Sequence, residues 1–82
     1  FIFMSPVVFE EGPFRFLFFS NEETRIHVHI LSSHGDAKFW IEPIVSLCKS
    51  TGYSAKELTR IQRIVEEHKD EIKRSWKKHF KC

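Results

Sequence analysis

His27-Val28-His29 is the sharpest chemical feature of the chain. On a β-strand, residues two apart point to one side, so an H-x-H pair sets two imidazoles on one face, close enough to share a phosphate or a metal ion. A zinc site needs at least a third ligand. His34, Glu42 and Cys48 are the candidates, and none stands at a diagnostic spacing. No metal and no cofactor is expected. Acid–base chemistry asks for less. Metal-independent RNA cleavage requires one base, one acid and a cation for the phosphate, which makes His27 and His29 the catalytic candidates.

Other residues join them if consecutive strands pair. Arg15, Lys38, Trp40 and Glu42 then fall on the histidine face, with Arg15 and Lys38 as phosphate contacts and Trp40 as a stacking surface for a base. An enzyme of this design would be a metal-independent ribonuclease. The same residues also describe a solvated sheet face with no catalytic role, although a large aromatic ring there calls for a cover or a partner. A second cluster closes the chain. Arg74, Trp76, Lys77, Lys78 and Phe80 mix cations with aromatics, which suits nucleic acid or an acidic protein, and equally suits a last helical turn whose cations complement the helix dipole. His68 and His79 lie in the apolar stripe of that helix and read as packed residues. No Gly-rich phosphate loop, nucleophile elbow or paired-carboxylate signature is present.

The elements that must position these residues are legible as an α+β pattern. Strands are expected at 6–10, 14–19, 25–31 and 37–42, and 44–47 is either a short extended segment or a bend that carries Val45 and Leu47 into the core. Glu11-Gly12-Pro13 is turn chemistry between the first two. Phe14, Phe16 and Phe18 share one face of the second strand, with Arg15, Leu17 and Phe19 on the other, so that strand belongs inside the sheet. In the third, Ile26, Val28 and Ile30 point inward. Short connections favour an antiparallel meander of three to five strands.

The helix start is marked by a capping box, Ser54 with Glu57, and by Tyr53 and Leu58 at staple spacing. From there Leu58, Ile61, Val65, Ile72 and Trp76 keep one stripe, with no Gly or Pro to interrupt it. One long C-terminal amphipathic helix over about 54–80 is expected, with His68 as the place where any bend would fall. Which sheet face this helix covers decides whether the histidines are a site or packing.

Eighty-two residues make one domain, 1–82, with strands over about 6–48. Nine Phe and two Trp supply its core, and at this size a homodimer or another partner is a fair expectation. The net charge of +2 is uneven: nine of the thirteen Lys and Arg follow residue 53. Two cysteines without a CxxC pair fit a reduced, cytoplasmic protein, with Cys48 as a small buried residue and Cys82 as a terminal thiol. The apolar opening run lacks the basic flank of a signal peptide, and no stretch is long enough to span a bilayer. Met4 is a plausible start, which would make residues 1–3 an upstream remnant.

The segments VVFEEGPFRFLFFSNE, HVHI, GDAKFWIEPIVSL and TGYSAKELTRIQRIVEEHKDEIKRSWKKHF resemble the small prokaryotic family known as domain of unknown function 4160, over nearly the whole chain. The most specific parts are the aromatic strand ending in Phe-Ser-Asn-Glu, the H-x-H, the Ala-Lys-Phe-Trp strand and the Ser-Ala-x-Glu-Leu helix start. Members typically carry Pro-Pro before the H-x-H, where this chain has Arg25 and Ile26. The resemblance implies a bacterial or archaeal cytoplasmic protein whose gene neighbours that of another small protein, in an arrangement like a toxin–antitoxin pair. It assigns no activity. It directs attention to His27, His29, Lys38 and Trp40. The chain is thus expected either to act on RNA within such a module or to bind a cognate small protein without catalysis.

Overall fold

Alternation and turn chemistry produce five strands. In the computed structural model, which describes residues 7–19 and 24–80, these are β1 (Val7–Glu11), β2 (Phe14–Leu17), β3 (His27–Leu31), β4 (Asp36–Trp40) and β5 (Ser46–Thr51). They form one antiparallel sheet in the order β1-β2-β3-β4-β5, a meander. Gly12 closes the first hairpin at φ +58°, followed by Pro13, whose ring fixes a negative φ. Positive then negative φ is the pattern of a two-residue hairpin turn that matches the strand twist. Expectations that concern residues 1–6, 20–23, 81 and 82, including the remnant at 1–3 and Cys82, lie outside the described residues.

The strand faces follow the alternation. Phe16 lies across from Ile30, Ile30 from Ala37, and Val28 from Phe39, which makes one apolar face. That face carries the core, together with Ile61, Ile64, Val65, Ile72 and Trp76 of the helical layer. The fifth strand departs from expectation. Val45 is buried, but Leu47 is exposed and Cys48 is exposed instead of buried. The pairing register shifts between Lys38 and Phe39, so Cys48 is the extra residue of a bulge, on a strand that among the described residues has a neighbour on one side only. Inward parity gives burial only where something lies above the strand.

The capping box forms as expected. The Glu57 N–H donates to Ser54 Oγ at 3.1 Å, and the Ser54 N–H donates to Glu57 Oε1 at 2.8 Å. Tyr53 ties this helix start to the β3–β4 turn. Its hydroxyl donates to the Gly35 carbonyl at 3.0 Å, so Ser32, at 2.8 Å, is the donor to the phenol oxygen.

The single long helix does not form. There are two helices, α1 (Ala55–Glu67) and α2 (Lys69–Phe80), separated at His68, whose φ and ψ are −110° and 13°. The His68 N–H is shared between the carbonyls of Ile64 and Val65, at 3.1 and 3.2 Å, which tightens the last turn of α1. Charge gives a reason. A continuous helix would set Glu66 against Asp70 and Glu67 against Glu71 at i,i+4, two repulsive pairs. Once the chain breaks, Asp70 and Glu71 become acids in the first turn of a new helix, where the dipole favours them. An unbroken apolar stripe specifies a shared face and is silent about one non-helical residue. Among the described residues, no helix is long and apolar enough to cross a membrane.

Candidate functional site

Because the helices take the apolar face, the H-x-H pair faces away from their core. Register then assembles the neighbours. His27 lies across from Trp40, and His29 lies across from Lys38 on one side and Leu17 on the other. Lys38 in turn lies across from Lys49.

Lack of a helical cover has not left the histidines open. His27 is 0% exposed and His29 9%. The Phe19 ring stacks on His29 at 4.1 Å, and the two imidazoles meet edge-on at 5.2 Å. His27 also touches Trp40 at 5.7 Å and, at the end of the sheet where β3 begins, Trp76 of α2 at 5.0 Å. Nδ1 of His27 sits 2.7 Å from the Arg25 carbonyl, which can only accept, so Nδ1 carries a proton.

Trp40 is partly exposed and has two cations over its ring. Arg25 Cζ lies 4.2 Å and Lys38 Nζ 4.6 Å from the ring centroid, contacts worth about 0.5–2 kcal/mol each depending on desolvation. Arg25 Nε donates to the Glu42 carbonyl at 2.9 Å, and the Glu42 carboxylate pairs with Lys73 of α2 at 3.3 Å. Lys38 is only 8% exposed.

The residue pattern matches a known family model over residues 14–77, described as a domain of unknown function, DUF4160. The chain belongs to the DUF4160 family. No curated protein and no solved structure matches the chain.

Of the residues expected to bind, the DUF4160 fold brings together Lys38 and Trp40, beside both histidines. Arg15 stands apart. It lies across from Leu31, toward the other end of β3, where Glu10 pairs with it at 3.4 Å. Arg74, Lys77 and Lys78 are exposed on α2, in the helical layer. Two residues of the cluster were not anticipated there, Arg25 and Trp76, whereas Phe19 shares the expected face of Arg15. Arg25 was findable, since residues 25, 27 and 29 share one parity. The contact of Trp76 was not, because it depends on where α2 crosses the sheet. Among the described residues, no group of three His, Cys, Asp or Glu side chains is placed to hold a metal ion.

The two helix histidines are elsewhere. His79 is exposed, and its ring lies 6.2 Å from Phe18. His68 packs on Phe9 at 4.1 Å, with Nδ1 2.9 Å from Glu71 and Nε2 3.4 Å from Glu11. Only the imidazolium donates from both nitrogens. The hydrogen bond to Glu71 raises its pKa above the ordinary 6.5, burial opposes this, and Glu11 adds to the rise. The stability it confers is therefore complete below pH 6.5 and lost as pH rises through the higher folded value. Denaturant midpoints measured across that range should fall for the wild type and stay flatter for His68→Gln. Parallel curves for the two proteins would refute the clasp.

Proposed function

We propose that this DUF4160 protein is the non-enzymatic binding component of a two-protein module of toxin–antitoxin type in a prokaryotic cytoplasm, and that it holds a cognate small protein on the sheet face bearing Trp40. The observation that carries the reading is the enclosure of both H-x-H imidazoles, His27 and His29. A general acid or base must come within hydrogen-bond reach of the proton it moves. Rings packed under Phe19 and Trp40 suit the shaping of a surface better than attack on a phosphodiester. Trp40 with Arg25 supplies the kind of aromatic and guanidinium pair that dominates binding energy at protein interfaces. RNA is the competing ligand, because the exposed Arg25 and Lys49 could serve phosphates as well as carboxylates.

One set of experiments separates these. The purified chain is passed over a sizing column with the product of the adjacent gene, and in parallel is incubated with labelled RNA. Co-elution is expected, with Trp40→Ala weakening the complex by about thirtyfold, the factor that corresponds to a hot spot of about 2 kcal/mol. RNA should stay intact. RNA cleavage by the wild type that disappears in a folded His29→Gln variant would overturn the reading in favour of a ribonuclease. RNA binding that depends on Trp40, with no co-elution, would replace the protein partner by RNA.

A further inference from the structure

Cations gather on the outer face of α1. Lys56, Arg60 and Arg63 are exposed at i, i+4 and i+7, which sets them on one stripe about 10 Å long. The stripe is turned away from the buried Ile61, Ile64 and Val65. Folding supplies no reason for it. Like charges at these spacings destabilise a helix, and Lys56 stands in the first turn, where the dipole disfavours a cation. The last turn of α1, where the dipole would favour one, carries none.

Among the described residues, no carboxylate pairs with any of the three. The Arg60 guanidinium lies over the Phe14 ring at 5.3 Å, a contact that places the charge without neutralising it. With Glu57 and Thr59, the three cations line a hollow of about 420 Å³. Both oxygens of Glu57 are already engaged, Oε1 by the Ser54 N–H at 2.8 Å and Oε2 by His34 at 2.6 Å. Glu67, one turn beyond Arg63 on the same side, ends the stripe.

The chemistry of this face selects its occupant. A protein partner draws its affinity from an apolar centre, and the large hydrophobic residues exposed among those described, Val7, Ile44 and Leu47, all lie outside α1. A membrane would take the apolar side of the helix, which is already packed in the core. A single strand of nucleic acid is held by stacking its bases, and no aromatic ring lines the hollow. Duplex phosphates ask only for cations. A helix about 10–12 Å across fits the major groove of B-form DNA, about 12 Å wide, whereas that of A-form RNA is too narrow. We infer that the outer face of α1 docks duplex DNA, with Lys56, Arg60 and Arg63 on the phosphates. This contact stands apart from the Trp40 face and does not depend on the protein partner proposed there.

The test titrates a short labelled DNA duplex of mixed sequence with the full chain and follows its anisotropy as salt is raised. Three phosphate contacts predict a slope of log K against log salt of about −2.7, and Lys56→Gln or Arg63→Gln should each reduce its size by about one. Both variants should unfold no earlier than the wild type, since each removes a like-charge neighbour, whereas a merely structural role would lower the midpoint. Lys77→Gln, on α2, should leave the slope as it is. No binding of the duplex, or a slope untouched by Lys56→Gln and Arg63→Gln, would overturn the site. A loss confined to Lys77→Gln would do the same and move the contact to α2. Tighter binding of single-stranded RNA that Trp40→Ala abolishes would assign nucleic acid to the Trp40 face instead.

Discussion

Trp76→Ala should cost about 3–5 kcal/mol, the range for emptying a buried aromatic site. A chain of this length is expected to have a net stability of roughly 4–12 kcal/mol, at about 0.05–0.15 kcal/mol per residue, so this one change removes a large share of it. The reason lies in what the indole joins. It is 3% exposed, meets Phe18 edge-on at 5.2 Å, lies 4.3 Å from Phe80, and touches His27 at 5.0 Å. Helix α2 is thereby fastened to the sheet at the end where the H-x-H strand begins. Truncation would open a cavity under His27 as well as between the layers. Guanidinium unfolding followed by circular dichroism measures the loss, and Trp76→Phe, which keeps a ring in place, should lose clearly less. It also leaves Trp40 as the single tryptophan, so its emission reports on the cations over that ring. A midpoint for Trp76→Ala close to that of the wild type would refute Trp76 as the residue that fastens α2 to the sheet.

Gly35→Ala should be the next most damaging single change, near the top of the roughly 1–3 kcal/mol typical of overpacking. A Cβ at Gly35 would run into the Thr51 carbonyl oxygen and lie 3.0 Å from the Gly52 Cα. Both obstacles are backbone, so no side chain can swing aside. Gly52 faces it at φ +89°, where a Cβ would meet the His34 carbonyl. The two glycines let the β3–β4 turn and the end of β5 touch, and the Gly35 carbonyl there also accepts from Ser32 N at 3.1 Å and from the Tyr53 hydroxyl. Forcing them apart would loosen β5 and the start of α1 together. Gly12→Ala is the control. Its positive φ costs about 1–2 kcal/mol in an L residue, but the nearest obstacle is the movable end of Arg60 at 3.2 Å. Thermal or chemical denaturation should rank Gly35→Ala below Gly12→Ala, and the reverse order would refute the close contact.

Some of the site was readable before any coordinates. The parity that sets His27, His29, Lys38 and Trp40 on one face is a local property of extended chain, and meander pairing puts His27 beside Trp40 and His29 beside Lys38. Arg25 could have been included by the same rule. Its ring partner could not, because a guanidinium on a flexible stem has many positions, and the one over Trp40 is selected by the Glu42 carbonyl, two residues past the end of β4. The enclosure of the histidines was also beyond reach. Facing away from the helices suggests exposure, and the contacts of Phe19 with His29 and of Trp76 with His27 reverse that.

What the chain alone determines here is whatever acts over a few residues. The Gly12-Pro13 turn, the alternation of β3 and β4, and the Ser54–Glu57 box each follow from dihedral limits and hydrogen bonds between near neighbours. The H-x-H was likewise visible as a pair on one face. Whether that pair is open was decided by tertiary structure, as were the break at His68 and the exposure of Leu47 and Cys48 on β5. Burial, cover and charge proximity depend on groups far apart in sequence, whose meeting is fixed only when the two helices settle on the apolar face of the sheet.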